Sequence, residues 1–290
     1  MKAPAPRRVC LQIGFGQGQT FLQAWQQWRQ DPERPWRFDF IAITPCPPEA
    51  AALHQVPEIA AQWPPPTRNL HRLAFDGGRV HLLLAVGQPL DVLPQLRAQV
   101  DEFLIDEFDA AADLQRAPLR LAKGLARLAA PLARLRATPG LQALRPALSS
   151  AGFELEPDGA ELRAVYRPRF TPRRRSTTAQ PDSERHALIV GSGLAGCAIA
   201  SALAEQGWRC TVIDRAEAPA MQASGNPAGL FHGIVNSQDG AHARFNRAAA
   251  LLAQRTVQRA IASGAVRGSA QGLLRLDTRG LDVQCLRDEL

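Results

Sequence analysis

The stretch from Ala187 to Asp214 reads ALIVGSGLAGCAIASALAEQGWRCTVID and decides the fold of the second half of the chain. A short apolar run ends in a G-x-G-x-x-G turn (Gly191, Gly193 and Gly196), a helical pattern follows, and a second apolar run ends at Asp214. Such glycines permit a tight turn and close approach to a pyrophosphate. The helix N-terminus offers free N–H groups, and the terminal acid accepts from a ribose hydroxyl. The pattern predicts a dinucleotide site, and a purely structural glycine turn is the alternative.

Length and charge limit the remaining possibilities. The chain has 290 residues, enough for two ordinary domains, and a net charge of +7. Nearly all of its 34 basic residues are arginine. Because arginine pairs bidentately with phosphate and stacks on bases, a nucleic-acid partner is one interpretation of this charge. Ordinary solvated surface charge is the other interpretation.

Cysteine usage and hydropathy predict the compartment. The 5 cysteines are scattered and form no C-x-x-C pair, which argues against a zinc ribbon or a disulfide framework. The sequence contains no apolar run of about 18 residues and no apolar segment after its basic N-terminal residues. We therefore expect a cytoplasmic protein with no metal site and no membrane span.

A polar stretch separates two parts of the sequence. Residues 167–185 read RPRFTPRRRSTTAQPDSER, and this composition predicts a basic linker without helix or strand through 171–184. The predicted domains are therefore 1–166 and 186–290, on either side of the linker.

The first domain also opens with a strand, a glycine turn and a helix. The turn is GFGQG, with Gly14, Gly16 and Gly18, and further apolar strands lead to Asp106. Strands that alternate with helices predict a mostly parallel sheet with ligands at the carboxyl ends of its strands. Leu119–Arg145 has an Ala/Leu/Arg pattern that predicts helix. The predicted fold class is α/β, with two Rossmann-like parallel-sheet domains joined by the basic linker, the second incomplete.

Several stretches together resemble one bacterial family, the bifunctional tRNA wobble-uridine enzymes. They are IGFGQGQTFLQAW (13–25), FLIDEF (103–108), SSAGFELE (149–156), the fingerprint at 187–214 and EAPAMQASGNPAGLFHGIVNSQDGAHARF (217–245). In that family a methyltransferase domain precedes a FAD-dependent oxidoreductase domain of the glycine-oxidase type. The order of the two domains here is the same.

The resemblance implies a two-step modification of tRNA. The flavin domain removes the carboxymethyl group from 5-carboxymethylaminomethyl-2-thiouridine, and the methyltransferase domain then methylates the exposed amine with S-adenosylmethionine. The implied residues are Gly191, Gly193, Gly196 and Asp214 for FAD, Ser224, Gly225, Asn226 and Gly229 for a loop beneath the flavin, Gly14, Gly16 and Gly18 for S-adenosylmethionine, and Asp106 for catalysis.

The methyltransferase half departs from the family pattern. Gln12 and Thr44 stand where the family carries acids for the cofactor. After Asp106, Glu107 replaces a glycine, and 109–118 reads DAAADLQRAP in place of the loop that would hold the target amine. Because a charge-assisted hydrogen bond contributes about 1.5–3 kcal/mol, we expect weak binding of S-adenosylmethionine.

The second domain is short for its type. GLLRLDTRG (272–280) predicts the first strand of a substrate domain, and we expect either a fragment of a longer protein or a truncated gene product. Three hypotheses remain open: the tRNA-modifying enzyme, a flavin amino-acid oxidase unrelated to RNA, and a non-catalytic tRNA-binding remnant. Salt-dependent tRNA binding distinguishes the first from the second, and flavin absorbance excludes the remnant.

Overall fold

The computed structural model describes residues 7–45, 56–64, 67–106, 116–157, 159, 161–168, 185–234 and 239–273. Its chain divides into two compact units, a smaller one of Met1–Pro4 with Pro172–Phe231 and a larger one of Ala5–Thr171 with His232–Leu290. The predicted domain boundaries stay a prediction. The expectation for 171–184 falls outside the described residues. Of the strand predicted within 272–280, only Gly272 and Leu273 are described, and neither is in a strand.

The larger unit is built on an eight-stranded sheet in the order β3-β4-β2-β1-β5-β6-β8-β7. The strands are β1 Arg7–Ile13, β2 Arg37–Thr44, β3 Leu70–Phe75, β4 Val80–Val86, β5 Val100–Ile105, β6 Ala129–Ala137, β7 Phe153–Leu155 and β8 Leu162–Tyr166. Strands β4, β2, β1, β5 and β6 are parallel, as the sequence predicts, and β3, β7 and β8 add antiparallel pairs at the two edges. The α/β class is confirmed.

Six α-helices of the larger unit lie among the described residues. They are α1 Gln19–Gln30, α2 Pro57–Ala60, α3 Pro89–Val92, α4 Pro118–Leu128, α5 Arg145–Ser150 and, after the smaller unit in sequence, a last helix at Ala241–Ala262. Helix α1 buries Phe21, Trp25 and Trp28. These residues share one helix face, since positions about four and seven apart lie over one another.

Both faces of the sheet are covered. Leu11 of β1 and Ile43 of β2 belong to one buried cluster, whereas Cys10 and Ala42 belong to a second. Because successive side chains of a strand point to opposite faces, the two clusters lie on opposite sides of the sheet. A continuous apolar run is therefore the expected sequence of each central strand.

Helix α4 is followed directly by β6, so the interpretation of Leu119–Arg145 as one helical pattern is wrong. In β6 the buried Ala133 and Leu135 alternate with the exposed Arg134 and Arg136. Alanine, leucine and arginine are good helix formers in isolation. Pairing with β5 overrides that propensity here.

A buried carboxylate joins β1, β2 and β4. Asp39 accepts hydrogen bonds from Arg7 at 2.5 Å, Arg37 at 2.9 Å and His81 Nδ1 at 3.1 Å. Burial alone would raise the pKa of Asp39, but the hydrogen bonds from His81 and Arg37 outweigh it and hold that pKa well below its usual value. Burial lowers the pKa of His81.

The helix at 241–262 packs beside the edge strand β3. Asn69 Nδ2 donates to the carbonyl of Arg244 at 3.2 Å, and Arg255 Nη1 donates to the carbonyl of Arg72 at 2.6 Å. Residues from the second half of the sequence therefore complete the larger unit.

The smaller unit contains a two-stranded parallel sheet and one helix. Strand β9 is His186–Val190, α6 is Leu194–Ala204, and β10 is Arg209–Ile213, which makes the last helix, at 241–262, α7. Of the described residues of this unit, Ile189 and Ser192 are buried, whereas Val190 and Leu194 are largely exposed.

Candidate functional site

The predicted dinucleotide turn lies between β9 and α6. Gly191 has a φ of 102°, which favours glycine, and its N–H donates to the carbonyl of Ile213 on β10 at 2.8 Å. Gly193 caps the start of α6. A Cβ on Gly196 would overlap the carbonyl oxygen of Gly191, so only glycine lets the helix lie this close to the turn. Space is open around Gly191, where no heavy atom lies within 4 Å of an added Cβ.

Asp214 lies at the carboxyl end of the neighbouring parallel strand, as the sequence predicts. Its carboxylate accepts from the backbone N–H of Ser192 at 2.6 Å, the Ser192 hydroxyl at 2.8 Å and the backbone N–H of Ala216 at 2.9 Å. The backbone hydrogen bonds from Ser192 and Ala216, with the Ser192 hydroxyl, lower the pKa of Asp214 to about 2. The carboxylate is therefore ionised at neutral pH and fixes the glycine turn.

The second predicted loop approaches the same turn. Ser224 Oγ accepts the backbone N–H of Leu194, the first residue of α6, at 3.1 Å. A Cβ on Gly225 would overlap the carbonyl oxygen of Ala220, so this loop is tightly folded. Asn226 and Gly229 are exposed. Ser224 thus contacts the fingerprint helix, and the roles of all four residues stay a prediction.

These residues fit the adenosine and pyrophosphate part of FAD. A helix N-terminus carries unpaired N–H groups and the positive end of the helix dipole, both of which attract phosphate. The open space at Gly191 leaves room for the pyrophosphate, and the ionised acid at the end of β10 can accept a hydrogen bond from a ribose hydroxyl.

The first glycine turn lies where the strand order of the larger sheet reverses. Strand β1 is flanked by β2 and β5, and ligands of open α/β sheets bind at such a switch point, outside the carboxyl ends of the strands. Gly14, Gly16 and Gly18 follow β1 with φ of 89°, 51° and 76°. Asp106 follows β5, and its N–H donates to the carbonyl of Ile13 at 2.8 Å. The sheet thus brings Asp106 beside the glycine turn.

The two departures from the family pattern lie in the same region. Gln12 is 5% exposed, and its Nε2 is 3.5 Å from Thr20 Oγ1. Its Oε1 has no hydrogen-bond partner among the described residues. Thr44 ends β2 and is 2% exposed. The turn therefore fits S-adenosylmethionine in backbone shape, but neither position supplies the carboxylate that a charge-assisted bond requires.

Ser192 was missed by the sequence interpretation. It is the variable residue of the G-x-G turn, and both its N–H and its hydroxyl bind Asp214. A small polar residue between two glycines, with an acid at the end of the next strand, was the sequence signal that could have identified Ser192.

The part of the chain that the structure describes contains no group of three or more His, Cys, Asp or Glu suited to a metal ion. Within the same residues, no helix has the length and hydropathy to cross a membrane.

Comparison with known proteins connects the second glycine turn with a described family and the chain with named relatives. The family model described as FAD dependent oxidoreductase matches residues 186–288. The tRNA 5-methylaminomethyl-2-thiouridine biosynthesis bifunctional protein MnmC of Methylibium petroleiphilum is 42% identical over 294 residues, which covers 95% of this chain and 45% of that protein. The protein of the same name from Ralstonia nicotianae is 37% identical over 84% of this chain and 40% of its own length.

Among solved structures, the crystal structure of MNMC2 from Aquifex aeolicus has a TM-score of 0.42 at 14% identity and covers 56% of this chain and 55% of its own. The identity to the two MnmC proteins, over 95% and 84% of this chain, confirms the resemblance to the bifunctional tRNA wobble-uridine enzymes. The chain spans less than half the length of the curated relatives it matches.

Proposed function

We propose that the chain acts in tRNA wobble-uridine modification through two successive reactions. The first is FAD-dependent removal of the carboxymethyl group from 5-carboxymethylaminomethyl-2-thiouridine. The second is methylation of the resulting amine with S-adenosylmethionine. The observation that carries this proposal is the FAD-type turn at 191–196, inside a region that matches the FAD dependent oxidoreductase family. The proposed partner is tRNA, and the proposed compartment is the cytoplasm.

The proposed domains are a methyltransferase-like domain at 1–166, a linker at 167–185 and an FAD-binding domain at 186–290. In the last, Gly191 and Gly193 let the backbone approach the pyrophosphate, and the first N–H groups of α6 donate to it. Asp214 accepts from a ribose hydroxyl while it holds the turn through Ser192. Ser224, Gly225, Asn226 and Gly229 form the loop beneath the flavin.

When bound, FAD supplies a two-electron acceptor for oxidation of the carbon attached to the substrate amine. The residues of this chain hold the adenosine end of the cofactor and thereby fix the position of the ring. In the first domain, Asp106 is the proposed catalytic residue and the glycine turn the proposed binding site of S-adenosylmethionine. Without acids at Gln12 and Thr44, its affinity is expected to be low.

The decisive experiment measures flavin binding and tRNA chemistry on the same preparation. FAD titration with fluorescence detection should give saturable binding that Gly193→Val abolishes, since a Cβ there would lie 2.8 Å from Ser224 Oγ and a valine adds two further methyl groups. In a strain that lacks the activity, supply of this chain should restore the methylated wobble nucleoside in tRNA, measured by nucleoside analysis.

Each outcome of this experiment separates the hypotheses. Saturable FAD binding without tRNA binding would favour a flavin amino-acid oxidase. Salt-dependent tRNA binding without flavin would favour a non-catalytic remnant. Absence of both would refute the proposal.

A further inference from the structure

The larger unit contains a cleft whose lining includes no residue of either glycine turn. It has a volume of about 600 Å³ and lies between the start of α7, the loop before β3, and the segment from β4 through α3. We call it the α7 cleft. Its size is within the range of about 300–1,000 Å³ that is usual for small-molecule sites.

The charge of the α7 cleft favours an anion. Three guanidinium groups line it, those of Arg68, Arg120 and Arg244, against the single carboxylate of Asp91. Arg68 Nη2 and Asp91 Oδ2 are 3.0 Å apart, and both side chains are more than half exposed. Such an exposed pair contributes about 0–1 kcal/mol, so a phosphate can compete for Arg68.

The start of α7 adds a second electrostatic observation. Arg244 lies in the first turn of this helix, which has no acidic residue there. The N-terminal end of a helix carries positive partial charge and normally favours acids. Asp239, which precedes the helix, pairs with Arg247 at 2.7 Å, so the charge of Arg244 beside the cleft remains to be balanced by a bound anion.

An exposed aromatic ring faces the same space. Phe245 lines the cleft and is 72% exposed, although phenylalanine is usually buried. Leu70 and Leu90 supply apolar wall beside it, and Asn69 and Gln95 supply amide groups. An aromatic face with arginines around it is the combination by which proteins hold unpaired bases and their phosphates.

We propose that the α7 cleft binds an unpaired nucleotide of RNA, with its base on Phe245 and its phosphates among Arg68, Arg120 and Arg244. This inference rests on the proposed function, which makes tRNA the partner. It adds a second contact for the RNA, lined by no residue of either cofactor turn, with the role of holding the substrate rather than reacting with it.

The test uses the full chain and fluorescence anisotropy with two probes, bulk tRNA and an oligouridylate of about ten nucleotides. Phe245→Leu should weaken oligouridylate binding about five-fold or more, because it removes the stacking ring but keeps apolar volume. Phe245→Trp should retain binding. Inorganic polyphosphate, which has charge but no base, should not distinguish Phe245→Leu from the unmodified chain.

The salt dependence tests the arginines. Arg68→Ala with Arg120→Ala should reduce the slope of log K against log salt by roughly 1.4, since each phosphate contact with a single strand contributes about 0.7. Arg163→Ala is the matched control. Arg163 and Arg68 have the same side-chain exposure, 56%, and each pairs at 3.0 Å with a half-exposed carboxylate. This control should leave the slope unchanged.

Asp91→Asn keeps the shape of the side chain and should increase the affinity for oligouridylate. It removes the cleft's carboxylate and frees Arg68, so oligouridylate should bind more tightly. Equal binding by Phe245→Leu and the unmodified chain, or weaker binding by Asp91→Asn, would overturn the inference and leave the proposed function intact. Absence of tRNA binding by the unmodified chain would refute the proposed tRNA partner and this inference together.

Discussion

Gly196→Ala tests the close approach of α6 to the glycine turn. A Cβ at this position would overlap the carbonyl oxygen of Gly191, well inside the 3.0 Å that real Cβ atoms essentially never cross. The obstacle is backbone, so no side-chain rotation relieves it. Helix α6 must move away from the turn, and its first N–H groups move with it.

The magnitude follows from two opposing terms. Alanine favours a helix interior over glycine by about 1 kcal/mol. Forced overpacking typically costs about 1–3 kcal/mol, so the net loss of stability should lie near 0–2 kcal/mol. The effect on FAD should be larger, because one lost charge-assisted hydrogen bond to the pyrophosphate costs about 1.5–3 kcal/mol, roughly a ten-fold to hundred-fold weaker affinity.

The assay is FAD titration followed by flavin fluorescence, with thermal unfolding measured on the same samples. Gly193→Ala is an informative comparison, since its Cβ would meet only the Ser224 side chain, with Oγ at 2.8 Å and Cβ at 3.6 Å. That side chain can rotate away at the cost of its hydrogen bond from Leu194. It should weaken FAD less than Gly196→Ala does. Ser201→Ala, on the exposed side of α6, is the control and should change neither quantity. Unchanged FAD affinity in Gly196→Ala would refute the reasoning.

Three further predictions concern the remaining sites. Gln12→Glu with Thr44→Glu should create calorimetrically detectable binding of S-adenosylmethionine, because carboxylates then face its amine and ribose; tight binding by the unmodified chain would contradict this. Ser224→Ala should lower the unfolding free energy of the smaller unit by about 1 kcal/mol, since the N–H of Leu194 loses its acceptor, whereas Ser224→Thr should not. Stability measured by thermal unfolding should fall as the pH drops below about 6.5, first because burial opposes protonation of His71 and His81, and then because protonation of Asp39 removes an acceptor whose folded pKa is depressed. Asp39→Asn should make the more acidic part of this decline shallower without abolishing it, since the pKa of Asp214 is depressed too.

Local sequence patterns were sufficient to predict the conformation of both glycine turns. At Gly14 and Gly191 an apolar strand runs into a glycine with positive φ, and a helix starts within a few residues. The strand, turn and helix are contiguous, so each pattern carries its own evidence. For the same reason Asp214 could be assigned to the end of the strand next to Gly191.

Features that depend on contacts between distant parts of the sequence could not be predicted from local patterns. In β6, Leu132 has a φ of 62°, and the register with β5 shifts between Val100 and Glu102. This irregularity interrupts the two-residue alternation that would have indicated a strand. The hydrogen bond between Asn69 and the carbonyl of Arg244 joins residues 175 positions apart, and no local pattern reports it. The site roles of Asp106 and of the loop at Ser224 stay predictions.

The packing of α7 against β3 bears on how the chain can be divided for study. A free edge strand presents unpaired backbone groups that recruit strands of other molecules, and α7 occupies this edge through Arg255 and the carbonyl of Arg72. A cut within the linker at 167–185 would take away this cover, although it is the natural choice from composition. The first half produced alone would then carry an open β edge, and aggregation of that half would be explained by the missing helix without any defect in the core.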